Sequence, residues 1–136
     1  MWIIRSRCVD TEALCVLAGK LVWSVKIELR ILDNGGNVID CASIAAIAAL
    51  RNFRVKKVDV VGDVVTVHEP FDYVPVPLTI HHDPISVSFS VLQLPADKDA
   101  QVKEEQKVIS DPTALEESVA DAMIVITASG TQVSPV

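Results

Sequence analysis

Asp111, Glu116 and Glu117 have the strongest claim to chemistry of any residues in the chain. Three carboxylates this close could hold a magnesium ion or serve as general acid and base. They follow the turn Ser110-Asp111-Pro112-Thr113, where acids also suit the positive end of a short helix. Spacing alone favours that plain role. Asp33 and Asp40 bracket another turn, and turn and N-cap hydrogen bonding is their simpler account. His81 and His82 are adjacent on a probable strand, so they point to opposite faces and do not readily share a metal. Ser86, Ser88 and Ser90 lack the strand-turn-helix setting of a nucleophilic serine and read as the outer face of a strand. Gly19-Lys20 lacks the glycine run of a phosphate loop, and Gly35-Gly36 lacks a dinucleotide fingerprint. Cys8, Cys15 and Cys41 are odd in number and fit no metal spacing. No catalytic site, metal or cofactor emerges from these residues alone.

The elements that would position them read as follows. Residues 14–17 suggest a short strand, with Gly19 in the turn after it. From Leu21 to Ile31, odd positions are apolar and even ones mostly polar, which predicts a half-buried strand. Asp33-Asn34-Gly35-Gly36-Asn37 is a turn. A helix over 41–52, capped by Asp40, is apolar on nearly all sides and should be buried. Two valine-rich runs, 58–61 and 64–67, flank Gly62-Asp63 as a β-hairpin. Pro70, Pro75 and Pro77 mark an irregular connection. Ile85, Val87, Phe89 and Val91 alternate with the three serines as a second clear strand. Residues 96–107 read as a solvated acidic loop or frayed helix, residues 119–127 as a strand, and 128–136 as a tail. The class is α+β, with helices against one face of a mixed sheet. One helix covers so much sheet poorly, which points to a missing half or an obligate partner.

Composition narrows the function. The net charge is −6, and half of the 136 residues are hydrophobic, so a packed core is feasible. Residues 1–60 hold nine Lys/Arg against six Asp/Glu; residues 61–136 hold three against twelve. So acidic a chain does not read as an autonomous nucleic-acid binder. Arg51, Arg54, Lys56 and Lys57 could touch RNA, but cations at a helix C-terminus are the simpler reading. The apolar runs are too short for a membrane span, and Met1-Trp2-Ile3-Ile4-Arg5 is too short for a signal-peptide core. A cytosolic or nuclear chain with reduced thiols is expected.

Several segments, in order, resemble the ribonuclease PH family and its exosome ring subunits. They are Ser6-Arg7-Cys8-Val9-Asp10-Thr11-Glu12, Val22-Trp23-Ser24-Val25, and above all the run from Leu32-Asp33-Asn34-Gly35-Gly36-Asn37 through Asp40-Cys41-Ala42-Ser43-Ile44 to Leu50. Val74-Pro75-Val76-Pro77-Leu78-Thr79-Ile80-His81-His82, Pro84-Ile85-Ser86-Val87-Ser88-Phe89 and Asp111-Pro112-Thr113 with Glu116-Glu117 complete the set. The resemblance spans residues 6–127 and implies a partial domain, mainly the second of two β-α repeats and truncated at both ends.

In active relatives, the resemblance implies an aspartate pair six residues apart in this strand-turn segment. Asp111 matches one position, and Glu117 stands where the second aspartate would be. The added methylene displaces the carboxylate enough to disturb metal and phosphate geometry. The resemblance therefore implies a non-catalytic structural subunit supporting 3′-to-5′ RNA processing and degradation. The implied partners are other ribonuclease PH-type subunits in a hetero-hexameric ring, cap subunits, and RNA reached through the assembled complex, in nucleus, nucleolus and cytoplasm. The alternatives are a phosphorolytic 3′-to-5′ exoribonuclease using Asp111 and Glu117, or a non-functional gene fragment.

Overall fold

A computed structural model describes residues 7–69, 71–94 and 105–130. The chain divides into two compact units, one of residues 1–28, 45–84 and 129–136, the other of residues 29–44 and 85–128. Among the described residues, helices and antiparallel strands give the expected α+β class. The strands form four small sheets, and every pairing with a defined register is antiparallel, so the mixed character expected of the sheet does not show there. No helix among the described residues is long and apolar enough to cross a membrane.

In the first unit, β1 (Cys15–Leu17) turns at Gly19, φ +72°, into β2 (Leu21–Val22). β3 (Arg54–Val55) pairs with β6 (Val76–Pro77), and β4 (Val58–Val61) with β5 (Val64–Val67). The β4–β5 hairpin is the expected one, with Gly62 taking φ +62° in its turn. Val9 bridges Ile80, flanked by Asp10 N–H to Thr79 O (3.0 Å) and His81 N–H to Cys8 O (2.8 Å). Cys8, Ala46 and Leu50 are buried, with Val25, Ile27, Ile47, Leu78 and Ile80 half-buried around them. The eleven-residue strand expected from Leu21 stops pairing after Val22, and its alternation survives only over residues 23–28, since Leu21, Leu29 and Ile31 are exposed. Trp23, Val25 and Ile27 are half-buried, while Ser24, Lys26 and Glu28 are exposed. Alternation reports burial of one face; a ladder also needs a neighbouring backbone.

Helix α1 (Val38–Asn52) begins three residues before the expected start, so Asp40 lies in its first turn and is not its N-cap. Its alanine-rich sequence suits a helix. Ala46 and Leu50 are buried, yet Ile39 and Ile44 are exposed, so the expectation of burial on all sides holds for one face only.

The second unit is built on a three-stranded sheet in the order β8-β7-β9, formed by β7 (Pro84–Leu94), β8 (Glu105–Ser110) and β9 (Ala122–Ser129). Helix α2 (Ala114–Val119) links β8 to β9. β7 forms as expected but faces the other way. Ser86, Ser88 and Ser90 are 5%, 0% and 0% exposed, whereas Ile85 and Val87 are 51% and 43% exposed. Hydrogen bonds explain the inversion at Ser86 and Ser88, whereas the buried Ser90 hydroxyl has no partner among the described residues. Asp40 accepts from both the backbone N–H and the hydroxyl of Ser88, each at 2.8 Å, and the hydroxyls of Ser86 and Thr127 meet at 2.9 Å. A carboxylate and hydroxyls removed from water need such partners, whereas Ile and Val can stay exposed without losing a hydrogen bond. Residues 105–107, expected within the solvated loop, begin β8, and 128–129, expected in the tail, end β9; residues 96–104 and 131–136 lie outside the described residues. Val119 closes α2 and does not open a strand.

Gly36 is tightly enclosed by backbone. It takes φ +113°, and a Cβ there would lie 2.4 Å from Pro112 O and 2.6 Å from Ala114 N. Gly36→Ala should therefore cost at least about 1–3 kcal/mol from backbone strain, before the overlap with backbone atoms is added. A urea midpoint as high as that of the unmodified chain would contradict this packing.

Candidate functional site

The candidate acids meet at the turn that precedes α1. Asn34 Oδ1 accepts the Gly36 N–H at 3.0 Å, and Gly35 O accepts the Ala114 N–H at 2.9 Å. Asn37 then adopts φ +50°, a left-handed conformation that Asn tolerates better than most residues. Its backbone N–H donates to Glu117 Oε1 at 2.8 Å, and its Nδ2 donates to Asp111 Oδ1 at 2.7 Å. Its carbonyl accepts from Cys41 N–H at 3.4 Å, which opens the helix. Asp111 is itself left-handed, φ +56°, and donates its N–H to Ser88 O at 3.3 Å. Asp40 closes the network from the other side through Ser88.

Asp111 and Glu117 are thus brought together by one residue, Asn37, which had been read only as part of a turn. Its backbone N–H serves Glu117 and its side-chain amide serves Asp111. The signal was faint: an asparagine after two glycines suits a left-handed position, but nothing in sequence says what its amide bonds. Asn37 Oδ1 is buried and has no hydrogen-bond partner among the described residues.

Glu116 does not join this group. It accepts from the Thr113 N–H and hydroxyl, both at 2.8 Å, while its own N–H donates to Thr113 Oγ1 at 3.4 Å. This is a capping box at the start of α2. The backbone hydrogen bond from Thr113, then that from its hydroxyl, holds the Glu116 carboxyl below the usual range. The three-acid cluster suggested by spacing is therefore split into a cap and a turn clamp. No group of three or more His, Cys, Asp or Glu suited to a metal ion forms among the described residues. Asp33 accepts from Asn34 N–H at 2.9 Å, the expected turn bond. His81 Nε2 lies 3.9 Å from Asp10 Oδ2.

The four basic candidates for RNA contact have local partners. Arg51 forms a two-pronged pair with Asp83, its Nε 2.9 Å from Oδ1. Arg54 Nη1 donates to the carbonyls of Arg51 (2.8 Å) and Phe53 (3.0 Å) at the end of α1. That is the helix-end role expected of them. Lys56 reaches Glu69 at 3.4 Å; Lys57 reaches Asp59 at 3.8 Å and lies 4.5 Å over the Tyr73 ring.

This geometry now meets the comparisons with known proteins. Residues 6–56 match the 3′ exoribonuclease family, domain 1. Over that stretch the chain is similar to the ribonuclease PH family, and its described helices and strands are of the α+β class expected from that likeness. Over 122 residues, 90% of this chain, it is 46% identical to the human exosome complex component RRP45 and covers 26% of that protein. It is likewise 46% identical over 126 residues to exosome complex component RRP45A of Arabidopsis thaliana, covering 38% of it. Against rrp45 of Schizosaccharomyces pombe it is 48% identical over 86 residues, 63% of this chain and 30% of that protein. The chain thus spans well under half the length of these relatives.

The Arg51–Asp83 pair gives a pH prediction. Its hydrogen bond with Arg51, aided by the guanidinium charge, holds the Asp83 carboxyl below the usual range. A depressed folded pKa means stabilisation that is present above the unfolded carboxylate's pKa and lost as pH falls through the folded value. Arg51 is exposed and Asp83 only half-buried, so solvent screening keeps the effect small. Arg51→Met should lower the melting temperature slightly at neutral pH, and the gap should close below about pH 4. A gap that widens on acidification would contradict the assignment.

Proposed function

We propose that this chain acts as a structural, non-catalytic ring subunit of the RNA exosome, supporting 3′-to-5′ RNA processing and degradation, including that of ribosomal RNA. One observation carries the reading. Asp111 and Glu117, which match the acid pair of active relatives, are both hydrogen-bonded to the Asn37 turn. Acids committed to holding a turn are poorly placed to leave it for a metal or a leaving group. The longer side chain of Glu117 belongs to the same picture, since it reaches the Asn37 backbone N–H. The relatives' names support membership of the exosome.

Its partners are then other ribonuclease PH-type subunits in a hetero-hexameric ring, with cap subunits above it, in nucleus, nucleolus and cytoplasm. RNA is reached through the assembled complex, in keeping with local partners for Arg51, Arg54, Lys56 and Lys57. The family portion runs over residues 6–127. Exposed Ile85, Val87, Val108, Ile124 and Ile126 supply apolar surface of the kind protein interfaces bury.

Co-expression with the other ribonuclease PH-type exosome subunits should yield a complex that holds this chain through size-exclusion chromatography. With RNA, inorganic phosphate and magnesium, the chain alone should release no nucleoside diphosphate. Release that disappears in Asp111→Asn would establish a phosphorolytic exoribonuclease instead. Failure to associate with any ring subunit would overturn the scaffold reading.

A further inference from the structure

We infer that Asn34 is a site of spontaneous covalent modification, at which its side-chain amide condenses with the backbone nitrogen of Gly35 and passes on to isoaspartate. Asn34 and Gly35 are exposed in the turn that leads into α1. Glycine after asparagine leaves the attacking nitrogen without a Cβ beside it. The turn supplies the rest of the geometry. Asn34 Oδ1 accepts the Gly36 N–H at 3.0 Å, so the side chain curls over the 34–35 peptide and its Cγ is held on the side of the Gly35 nitrogen. Holding the two groups in one turn removes much of the entropy cost of their meeting. The Gly36 N–H also donates to the oxygen on which negative charge grows as Cγ is attacked. Asp33 Oδ1 steadies the same turn by accepting the Asn34 N–H at 2.9 Å.

The step needs only water. The Gly35 nitrogen gives up its proton and bonds to Asn34 Cγ. The bond from Cγ to Nδ2 breaks, and ammonia leaves with that proton. Water then opens the cyclic imide. Opening at Cγ gives aspartate. Opening at the main-chain carbonyl of residue 34 gives isoaspartate, with the main chain rerouted through Cβ and Cγ. That route adds one atom to the main chain, about 1.5 Å of covalent path. The turn has no slack for it. Gly35 O accepts the Ala114 N–H at 2.9 Å, and a Cβ on Gly36 would already lie 2.4 Å from Pro112 O. Asn37 follows at φ +50°, with its N–H on Glu117 Oε1 and its Nδ2 on Asp111 Oδ1. Isoaspartate at position 34 therefore releases Asn37 from both acids. The chemistry belongs to the turn itself and stands apart from the exosome reading.

The test incubates the full chain at neutral pH and maps its peptides with an isoaspartate methyltransferase as the probe. Methylatable isoaspartate should accumulate at position 34, with ammonia released alongside it. Because the turn holds the reacting groups together, the folded chain should convert as fast as the chain unfolded in urea, or faster. Gly35→Ala is the control. Gly35 does not take a positive φ, and among the described residues nothing lies within 4 Å of a Cβ there, so the variant keeps the turn. It should still lose most of the isoaspartate, because the new Cβ crowds the attacking nitrogen. In the isoaspartate fraction, the Asn37 backbone amide should lose its protection from hydrogen exchange. Asn34→Asp keeps the ordinary main chain and an acceptor for the Gly36 N–H, so it should retain that protection. No isoaspartate at position 34, or conversion slower in the folded chain than in urea, overturns the inference. So does isoaspartate undiminished in Gly35→Ala, or an isoaspartate fraction in which Asn37 stays protected.

Discussion

The second unit depends on the left-handed turn at Gly36 and Asn37. Without glycine at position 36, the turn cannot approach Pro112 and Ala114. Without the two acids, the Asn37 amide groups lose their acceptors. These constraints fix where α1 begins, and with it where Asp40 lies. Asp40 in turn decides which face of β7 is covered, because it supplies the acceptor for the Ser88 N–H that a neighbouring strand would otherwise provide. One short turn therefore couples a helix start, a strand's orientation and the placement of both candidate acids.

Much of this was legible in the residues. The hairpin at Gly62-Asp63, the turn at 33–37, α1 and β7 follow from period and turn chemistry. The orientation of β7 was not. Alternation establishes that a strand has two unlike faces; it does not say which is covered. Apolar residues normally win the interior, but Ser86 and Ser88 are hydrogen-bonded there, and that depends on Asp40, 48 residues from Ser88 in sequence. The N-cap assignment of Asp40 failed for the same reason. A carboxylate near a helix start suits several acceptor roles, and tertiary partners choose among them. The strand expected over 21–31 shows a further limit, since period two marks the capacity to pair and not the presence of a partner.

The site was half legible. Asp111 and Glu117 were singled out, and they do come together. Glu116 looked equivalent by spacing, yet a capping box with Thr113 draws it away. The role of Asn37 could not be inferred, because a side-chain amide reaching a residue 74 positions away and a backbone N–H reaching one 80 positions away leave no periodic trace. The result is an acid pair bonded to the backbone and side chain of one turn.

Hydrogen exchange at Asn37, followed by NMR on the full chain, tests this account most directly. The account predicts a backbone amide at Asn37 that exchanges slowly, loses its protection in Glu117→Ala, and keeps most of it in Glu117→Gln, whose amide oxygen can still accept. Rapid exchange at Asn37 in the unmodified chain, or protection untouched by Glu117→Ala, would contradict the claim that these acids serve the turn.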